Sequence, residues 1–122
     1  MPWVVHFHDE FEPEFDALSI TVQDELLAHA SLLAKIGPTL GRPQVDTLAG
    51  SKHANLKELR FAADGGVWRV AFAFDPTRSA ILLVAGDKSG GAQKRFYRSL
   101  IERADHRFDL HLTALRNADK ER

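Results

Sequence analysis

The fold of this chain is decided by thirty residues from Leu56 to Ala85, which read LKELRFAADGGVWRVAFAFDPTRSAILLVA. Two turn sequences, Asp64-Gly65-Gly66 and Asp75-Pro76-Thr77, divide this stretch into three runs rich in apolar and β-branched residues. An Asp-Gly pair between alternating apolar runs is a strong signal for a β-hairpin, and proline and glycine interrupt strands. The stretch therefore predicts three consecutive antiparallel strands.

The second and third runs differ in how their side chains alternate. In Val67 to Asp75 every second side chain is large and apolar, which is typical of a strand with one face on the core. Ala80 to Ala85 is apolar at every position, which is typical of a central strand covered on both faces. The residues expected on the core face of the second strand are Trp68, Val70, Phe72 and Phe74.

Further elements are predicted on either side of these strands. Before them, Trp3 to Phe7 indicates a first strand, Pro13 lies early in a short helix, and Ser19 caps a longer helix that ends at Gly37-Pro38. After them, apolar residues four apart predict a helix from Gln93 to Leu112. The apolar faces of the two long helices are Val22, Leu26, Ala30, Leu33 and Ile36, and Phe96, Leu100, Ala104, Phe108 and Leu112.

The order of elements is therefore β-α-α-β-β-β-α, which predicts a single compact α+β domain. We expect it to span residues 1–122, with a twisted, mainly antiparallel sheet, a helical pair and a closing helix. Residues 37–55 are predicted to form a long irregular loop pinned by Leu40, Val45 and Leu48, and loops of this length are often functional. The polar tail, residues 114–122, is expected to fray, above all from Arg116 onward.

Composition limits the classes of function. The chain has 122 residues, 44% of them hydrophobic, and no cysteine, which excludes disulfide scaffolds and thiolate metal sites. No apolar run approaches the roughly 20 residues that a membrane helix needs, and the N-terminus lacks the basic and apolar regions of a signal peptide. We therefore expect a cytoplasmic protein that contacts no membrane.

Charge is unevenly distributed along the chain. The first 30 residues hold seven acidic residues and no lysine or arginine, and all 16 basic residues follow. The net charge of the whole chain is nevertheless only -1. This asymmetry favours either a basic surface that meets a polyanion or a surface on which the charges pair with one another.

The first predicted hairpin carries the charged residues that suggest chemistry. Because side chains alternate along a strand, Glu58 and Arg60 share the face opposite Leu59, and Arg69 of the next strand joins them. The third strand ends close by, near Lys88. We expect these four charged residues to line one concave, non-core surface of the sheet. The alternative is that they form cross-strand ion pairs on a solvated face.

A carboxylate beside guanidinium groups suits the cleavage of an RNA backbone. In that reaction Glu58 takes the proton of the 2′-hydroxyl as base, and Arg60 and Arg69 hold the phosphate. No metal or other cofactor is required, and His6-Phe7-His8 has no third ligand in view. The general acid stays open among Lys88, Lys94, His53 and Tyr97, and the candidate RNA-binding residues are Lys57, His53, Lys94 and Tyr97.

Several stretches together resemble a known family. They are Gly37 to Pro43, Leu56 to Phe61, Trp68 to Phe72, Gly86-Asp87-Lys88 and Phe96-Tyr97. In this order they are similar to the RelE/ParE toxin superfamily, and most similar to its phage Gp49-like, HigB-type group. The resemblance covers residues 3–112.

The resemblance implies the toxin of a type II toxin–antitoxin pair. Such toxins are metal-independent endoribonucleases that cut mRNA in the ribosomal A site, and a cognate antitoxin inhibits them. The resemblance matches Glu58 with the family's acid that serves as base, Arg60 and Arg69 with its phosphate-holding arginines, and Lys88 with its lysine after the last strand. It also implies a helix-turn-helix antitoxin as partner, and ribosome and mRNA as targets.

Two features of the chain depart from the family. Many relatives have two lysines in the segment where this chain has Gly86-Asp87-Lys88-Ser89, and many are basic overall, whereas this chain is not. Two other functions therefore stay open. One is a ParE-like toxin that binds DNA gyrase, and the other is a non-catalytic protein kept for antitoxin binding and transcriptional control.

Overall fold

Five strands and three α-helices make up the fold in the computed structural model, which describes residues 2–120. The strands are β1 (Val4–Phe7), β2 (Val45–Thr47), β3 (Lys57–Ala63), β4 (Gly66–Phe74) and β5 (Ser79–Asp87). The helices are α1 (Glu12–Asp16), α2 (Ile20–Ile36) and α3 (Gln93–Lys120), and a 3-10 turn (Gly37–Thr39) follows α2.

The five strands form one mixed sheet in the order β1-β5-β4-β3-β2. Strands β3, β4 and β5 are the three consecutive antiparallel strands that the sequence predicts. Strand β1 pairs in parallel with β5 at one edge, and β2 pairs antiparallel with β3 at the other. The expected α+β class with a mainly antiparallel sheet is confirmed.

One face of the sheet packs against α1 and α2. The predicted core face of β4 is confirmed, since Val70 and Phe72 are fully buried there and Trp68 and Phe74 pack at its margin. The spacing predicted for α2 is confirmed for four of its five residues, whereas the prediction is wrong for Ile36, which is 43% exposed at the end of the helix. The α2 residues buried against this face are Val22, Leu26, Ala30 and Leu33.

Both ends of α2 are set by the residues that the sequence indicates. Ser19 accepts a hydrogen bond at 3.2 Å from the backbone N–H of Val22, which satisfies a donor of the first turn. Gly37 ends the helix with a φ of 74°, in the region that favours glycine. A Cβ atom there would stand 2.3 Å from the Trp3 ring, so the position needs glycine for space as well.

The other face of the sheet packs against α3, so the centre of the sheet is covered on both sides. A register shift between β4 and β5 turns both Leu83 and Val84 toward α3. This explains why the run from Ala80 to Ala85 is apolar throughout. It also corrects the expectation that this face is a non-core surface. The α3 residues buried here are Leu100, Ala104 and Phe108.

The long loop predicted at residues 37–55 is interrupted by structure. Besides the 3-10 turn it contains β2, which extends the sheet by one strand beyond β3. Val45 is buried opposite Leu59, and its burial holds this short strand in place. The prediction of an irregular loop is therefore wrong at this point.

Helix α3 is longer than predicted, because it continues to Lys120 instead of fraying from Arg116. Residues 113–120 contain no glycine or proline, so nothing in the sequence breaks the helix. Residues 121 and 122 lie outside the described residues. In residues 2–120, no helix combines the length and apolar character that crossing a membrane requires.

Part of the acidic N-terminal segment pairs with α3. Arg107 is buried, and its guanidinium donates to Glu14 Oε2 at 2.5 Å and to the Leu83 carbonyl at 2.7 Å. Arg103 donates to the same carboxylate at 3.1 Å. For Glu14, the hypothesis that the charges of the chain pair with one another is therefore correct.

Asp75 joins the turn between β4 and β5 to α3. Its Oδ1 accepts hydrogen bonds from the backbone N–H groups of Thr77 at 2.9 Å and Ser79 at 3.0 Å, and its Oδ2 lies 2.7 Å from His111 Nε2. Burial alone would raise the pKa of Asp75. The hydrogen bonds from His111, Thr77 and Ser79 outweigh that effect and hold the pKa below its ordinary value.

Replacing Asp75 with asparagine is expected to lower the free energy of unfolding by about 1–3 kcal/mol at pH 7. Because the pKa is lowered in the folded state, the carboxylate stabilises the fold above its ordinary pKa. That contribution is lost as the pH falls through the folded pKa. Urea unfolding at several pH values measures the difference. Exposed Asp24→Asn is the control, and a difference that persists unchanged into strong acid would contradict the prediction.

Candidate active site

Strand register brings two carboxylates and two guanidinium groups together on the face that α3 covers. Asp46 of β2 lies opposite Glu58 of β3, and Arg60 of β3 lies opposite Arg69 of β4. Opposed residues on neighbouring strands project from the same face. Because Glu58 and Arg60 are two residues apart on one strand, all four side chains share this face.

Tyr97 of α3 links the buried carboxylate to one of the guanidinium groups. Its hydroxyl donates to Glu58 Oε1 at 3.2 Å and accepts from Arg69 Nε–H at 3.1 Å. Arg69 Nε lies 3.4 Å from the same Glu58 oxygen. Arg69 Nη1 also donates to the Trp68 carbonyl at 3.2 Å. The side chains of Glu58, Tyr97 and Arg69 therefore form one closed polar network.

This network is buried, which corrects the expectation of an open concave surface. Glu58 and Arg69 are each only 5% exposed, because the first turns of α3 lie across them. Gly86, which pairs with Arg69, permits this close approach, since a Cβ there would stand 2.8 Å from the Phe96 ring. The members of the group that meet solvent are Asp46, Arg60 and Tyr97.

Burial makes Glu58 electrostatically unusual. Its Oε2 atom has no hydrogen-bond partner in the described part of the chain. Burial raises the pKa of Glu58 above its ordinary value, and the hydrogen bond from Tyr97 and the charge of Arg69 offset this only in part. A carboxylate with a raised pKa and an unpaired oxygen accepts a proton more readily, which is what a general base requires.

Replacing Tyr97 with phenylalanine removes the hydroxyl and keeps the ring over the site. Because the Tyr97 hydrogen bond lowers the pKa of Glu58, we expect this pKa to rise further in the variant. The folded chain then binds the Glu58 proton more tightly than the unfolded chain, so stability is lost as the pH rises between the two pKa values. Carbon-13 NMR titration of the Glu58 carboxyl measures the change, and an unaltered or lower pKa would refute it.

Arg60 forms the exposed edge of the group. Its side chain is 33% exposed, and its guanidinium nitrogens lie 3.7 Å from Asp46 Oδ2 and 3.7 Å from Glu58 Oε1. Asp46 Oδ2 is also paired with Arg42 Nη2 at 3.0 Å. The hydrogen bond with Arg42 lowers the pKa of Asp46, so this carboxyl stays ionised. Two arginines therefore stand where a phosphate in solvent can reach them.

A cleft of about 330 Å³ opens beside this group. It lies between β2 and the following segment on one side and Tyr97 of α3 on the other. Glu58 is part of its wall, so a ligand in the cleft approaches the buried carboxylate from the β2 side. The residues that line it are Asp46, Thr47, Leu48, Ala49, Glu58 and Tyr97.

The two candidate lysines lie near Tyr97. Lys88 Nζ is 5.6 Å from the centroid of the Tyr97 ring, a cation–π contact. The Lys88 backbone N–H donates to the Val67 carbonyl at 2.7 Å, which anchors the residue after β5. Lys94 is exposed on α3, about one turn before Tyr97. The structure thus brings Lys88 to the group and leaves Lys94 at its rim.

His53 and Lys57 are not brought to the group. Lys57 projects from the opposite face of β3, where its Nζ donates to the Pro38 carbonyl at 3.4 Å. His53 Nε2 lies 2.9 Å from Asp109 Oδ1, about three helical turns along α3 from Tyr97. The expectation that His53 lies close enough to Glu58 to serve in catalysis is therefore wrong.

His6 of β1 and His8, the residue just after that strand, lie at the opposite edge of the sheet from β2. His8 is buried, and its Nδ1 accepts a hydrogen bond at 3.1 Å from the backbone N–H of Glu10. Across residues 2–120, no group of three or more His, Asp or Glu side chains is placed to hold a metal ion.

Sequence reasoning missed Asp46 and the cleft beside it. Asp46 faces Glu58 only because β2 pairs with β3, and that pairing joins residues separated by a long connection. Val45-Asp46-Thr47 is too short a run for its alternation to be distinguished from a loop. The buried neighbours Val45 and Leu48 were the available signal, since apolar residues in a polar segment mark contact with the core.

Comparison with known protein families gives a match over residues 13–109 to the family described as "Phage derived protein Gp49-like (DUF891)". The matched range runs from α1 to within α3 and includes every residue of the group around Glu58. The chain belongs to the Gp49-like family.

Two curated proteins of Mycobacterium tuberculosis (strain ATCC 25618 / H37Rv) are similar to this Gp49-like protein. The candidate toxin HigB3 is 46% identical over 105 residues, which cover 86% of this chain and 90% of HigB3. The candidate toxin HigB2 is 42% identical over 98 residues, which cover 80% of this chain and 48% of HigB2. The Gp49-like chain thus spans about half the length of HigB2 and most of HigB3.

A solved structure of the E. coli toxin RelE, a double arginine variant in the free state, is similar to the Gp49-like protein with a TM-score of 0.58. The match covers 83% of this chain and 95% of the RelE chain, at 14% sequence identity. At that identity the likeness concerns the fold. The resemblance to RelE/HigB-type toxins is confirmed by the family match, the curated relatives and this fold.

Proposed function

We propose that this chain is the toxin of a type II toxin–antitoxin pair and that it cleaves mRNA on the ribosome, in the cytoplasm. The observation that carries the proposal is the network of Glu58, Tyr97 and Arg69, with Arg60 at its exposed edge. In this network a carboxylate with a raised pKa lies beside guanidinium groups, which are well suited to bind phosphate. Family membership supports it, because curated relatives are named as candidate toxins.

The chain supplies the groups that RNA cleavage needs. Glu58 takes the proton of the ribose 2′-hydroxyl, the 2′-oxygen forms a bond to phosphorus, and the bond from phosphorus to the 5′-oxygen breaks. Arg60 and Arg69 stabilise the charge that builds up on the phosphoryl oxygens. Lys88 gives a proton to the departing 5′-oxygen. The products are a 2′,3′-cyclic phosphate and a 5′-hydroxyl, and the scheme is complete without a metal.

The reaction requires the Tyr97 hydroxyl to release Glu58 and Arg69, while the Tyr97 ring stays in place as a wall of the cleft beside Glu58. Tyr97 holds them by two hydrogen bonds, and such bonds contribute about 1 kcal/mol each to stability. An RNA phosphate replaces the hydroxyl as the partner of Arg69 with a stronger, charge-assisted bond. Arg42 and Arg60, at the exposed edge, make the first contact with the RNA.

The partners of this toxin are the ribosome and mRNA as targets and a cognate antitoxin as inhibitor, of the helix-turn-helix type in HigB-type systems. Charge supports the nucleic-acid part, since the exposed basic residues around the site outnumber the acidic ones there. The basic residues on or near its rim are Arg42, Arg60, Lys88 and Lys94.

Inducible expression of the wild type beside Arg60→Ala tests the proposal. We expect the wild type, expressed without an antitoxin, to arrest growth and to leave mRNAs with new 5′ ends inside codons. Arg60→Ala removes a charge-assisted phosphate contact from a partly exposed position, so cutting should fall by about 10- to 100-fold. Arg116→Ala, exposed near the end of α3, is the matched control and should cut as the wild type does.

The same experiment separates the competing functions. Growth arrest with intact transcripts contradicts the nuclease proposal, and altered DNA supercoiling in those cells indicates a toxin that binds gyrase. A stable antitoxin complex without any growth defect indicates a non-catalytic regulator.

A further inference from the structure

The cleft between β2 and Tyr97 has the dimensions and walls of a pocket for one nucleobase. At about 330 Å³ it is small and open to solvent on one side. Leu48, Ala49 and the Tyr97 ring give it apolar walls, and an aromatic ring is the usual stacking surface for an unpaired RNA base. A few polar groups among apolar walls are typical of small-molecule sites.

The polar groups of this cleft are predominantly hydrogen-bond acceptors. Asp46 and Glu58 are opposed across β2 and β3, so two carboxylates reach the same wall. Glu58 Oε2 is buried and unpartnered within the described residues, and Glu58 is 5% exposed. Of the side chains that line the cleft, none carries an ammonium, guanidinium or amide group, and the hydroxyls of Thr47 and Tyr97 accept as well as donate. The two carboxylates therefore favour a ligand that donates hydrogen bonds.

The four RNA bases differ in this respect. Cytosine, adenine and guanine each carry an exocyclic amino group that donates hydrogen bonds, whereas the uracil base has none and donates only through N3–H, which lies between two carbonyl oxygens. A carboxylate accepts from an amino group and repels a carbonyl oxygen. Asp46 is the carboxylate nearer to solvent, and its pairing with Arg42 keeps it ionised.

We propose that this cleft binds the base on the 5′ side of the cut and that Asp46 selects a base with an exocyclic amino group over uracil. The inference rests on the proposed function, because the 2′-hydroxyl that Glu58 deprotonates belongs to the ribose of that same nucleotide. With the base in the cleft, Arg60 is available to the phosphate of the same nucleotide, because its guanidinium lies 3.7 Å from both Asp46 Oδ2 and Glu58 Oε1. Asp46 is thus a residue for specificity, distinct from the proton transfer.

Mapping the transcript 5′ ends made by the wild type and by Asp46→Asn tests this inference. In the wild type, uridine should be depleted about 10-fold or more immediately 5′ of the cuts, relative to the same codon positions in uncut mRNA. Asparagine offers an amide that donates to uracil, so Asp46→Asn should restore uridine there. Arg42→Gln is the control, because it removes the ion pair between Arg42 and Asp46 and keeps the Asp46 carboxylate. Uridine should stay depleted 5′ of the cuts in this variant, whatever the overall rate of cutting.

The outcomes distinguish this inference from the function on which it rests. Cuts with uridine at its ordinary frequency, or an unchanged preference in Asp46→Asn, overturn the base pocket and leave the nuclease in place. A wild type that makes no cuts overturns the proposed function. The pocket is then judged by NMR titration of the purified chain: 3′-CMP, unlike 3′-UMP, should shift the backbone signals of residues 46–49, and equal or absent shifts overturn it.

Discussion

Replacing Glu58 with glutamine is expected to lower the rate of mRNA cleavage by about 100- to 10,000-fold, the usual contribution of a general base. Glutamine has nearly the same shape but does not accept the 2′-hydroxyl proton at neutral pH. The effect is large because Glu58 is the carboxylate of this group with a raised pKa and an unpaired oxygen. Purified protein, programmed ribosomes and end-labelled mRNA give the rate directly.

A second substitution guards against a loss of folding. Glu58→Gln leaves the buried Arg69 without its carboxylate partner, which destabilises the fold. Glu58→Asp keeps the charge and withdraws the oxygen by one methylene, so it should cleave slowly while unfolding much as the wild type does. Exposed Glu102→Gln makes the same chemical change away from the site. A folded Glu58→Gln variant that cleaves at the wild-type rate would remove Glu58 from the mechanism.

Replacing Phe108 with alanine is expected to lower the free energy of unfolding by about 3–5 kcal/mol. Phe108 is 1% exposed and lies among the residues that hold α3 on the sheet. Its ring meets His53 edge-on, with centroids 4.9 Å apart, so the substitution also leaves a cavity beside the segment before β3. Urea unfolding followed by circular dichroism measures the loss.

The control for this prediction is Leu110→Ala, two residues further along the same helix. Leu110 is 43% exposed, so its truncation should change stability by no more than about 0.5 kcal/mol. Similar losses in the two variants would mean that α3 does not pack on the sheet as described. If Phe108→Ala alone lowers the free energy of unfolding strongly, and Glu58→Gln is folded but inactive, then Phe108 serves stability and Glu58 serves the reaction.

The strands that carry the site are predictable because their signals are local. The residues of a turn and the alternation of side chains along a strand depend only on neighbouring residues. The structure has turns at Asp64-Gly65-Gly66 and Asp75-Pro76-Thr77, where they are predicted. The same period puts Glu58 and Arg60 on one face. A hairpin of known turn position then brings Arg69 opposite Arg60.

The parts that sequence reasoning missed depend on contacts between distant segments. Asp46 lies beside Glu58 because β2 pairs with β3. His53 lies away from the site, in contact with Asp109, which is 56 residues later in the chain. Neither contact leaves a periodic pattern in the chain. The length of α3 was underestimated because its last residues are polar and exposed, and polarity alone does not end a helix.

The sequence by itself determined the order of the elements other than β2, the two turns and which charged residues of β3 and β4 share a face of the sheet, since these follow from backbone geometry over a few residues. Only the tertiary structure decided that α3 closes over that face, with Tyr97 bridging Glu58 and Arg69 from 39 and 28 residues away. The physical reason is that burial is a property of packing between distant segments. Burial in turn raises the pKa of Glu58. It also means that a ligand reaches Glu58 through the cleft beside β2.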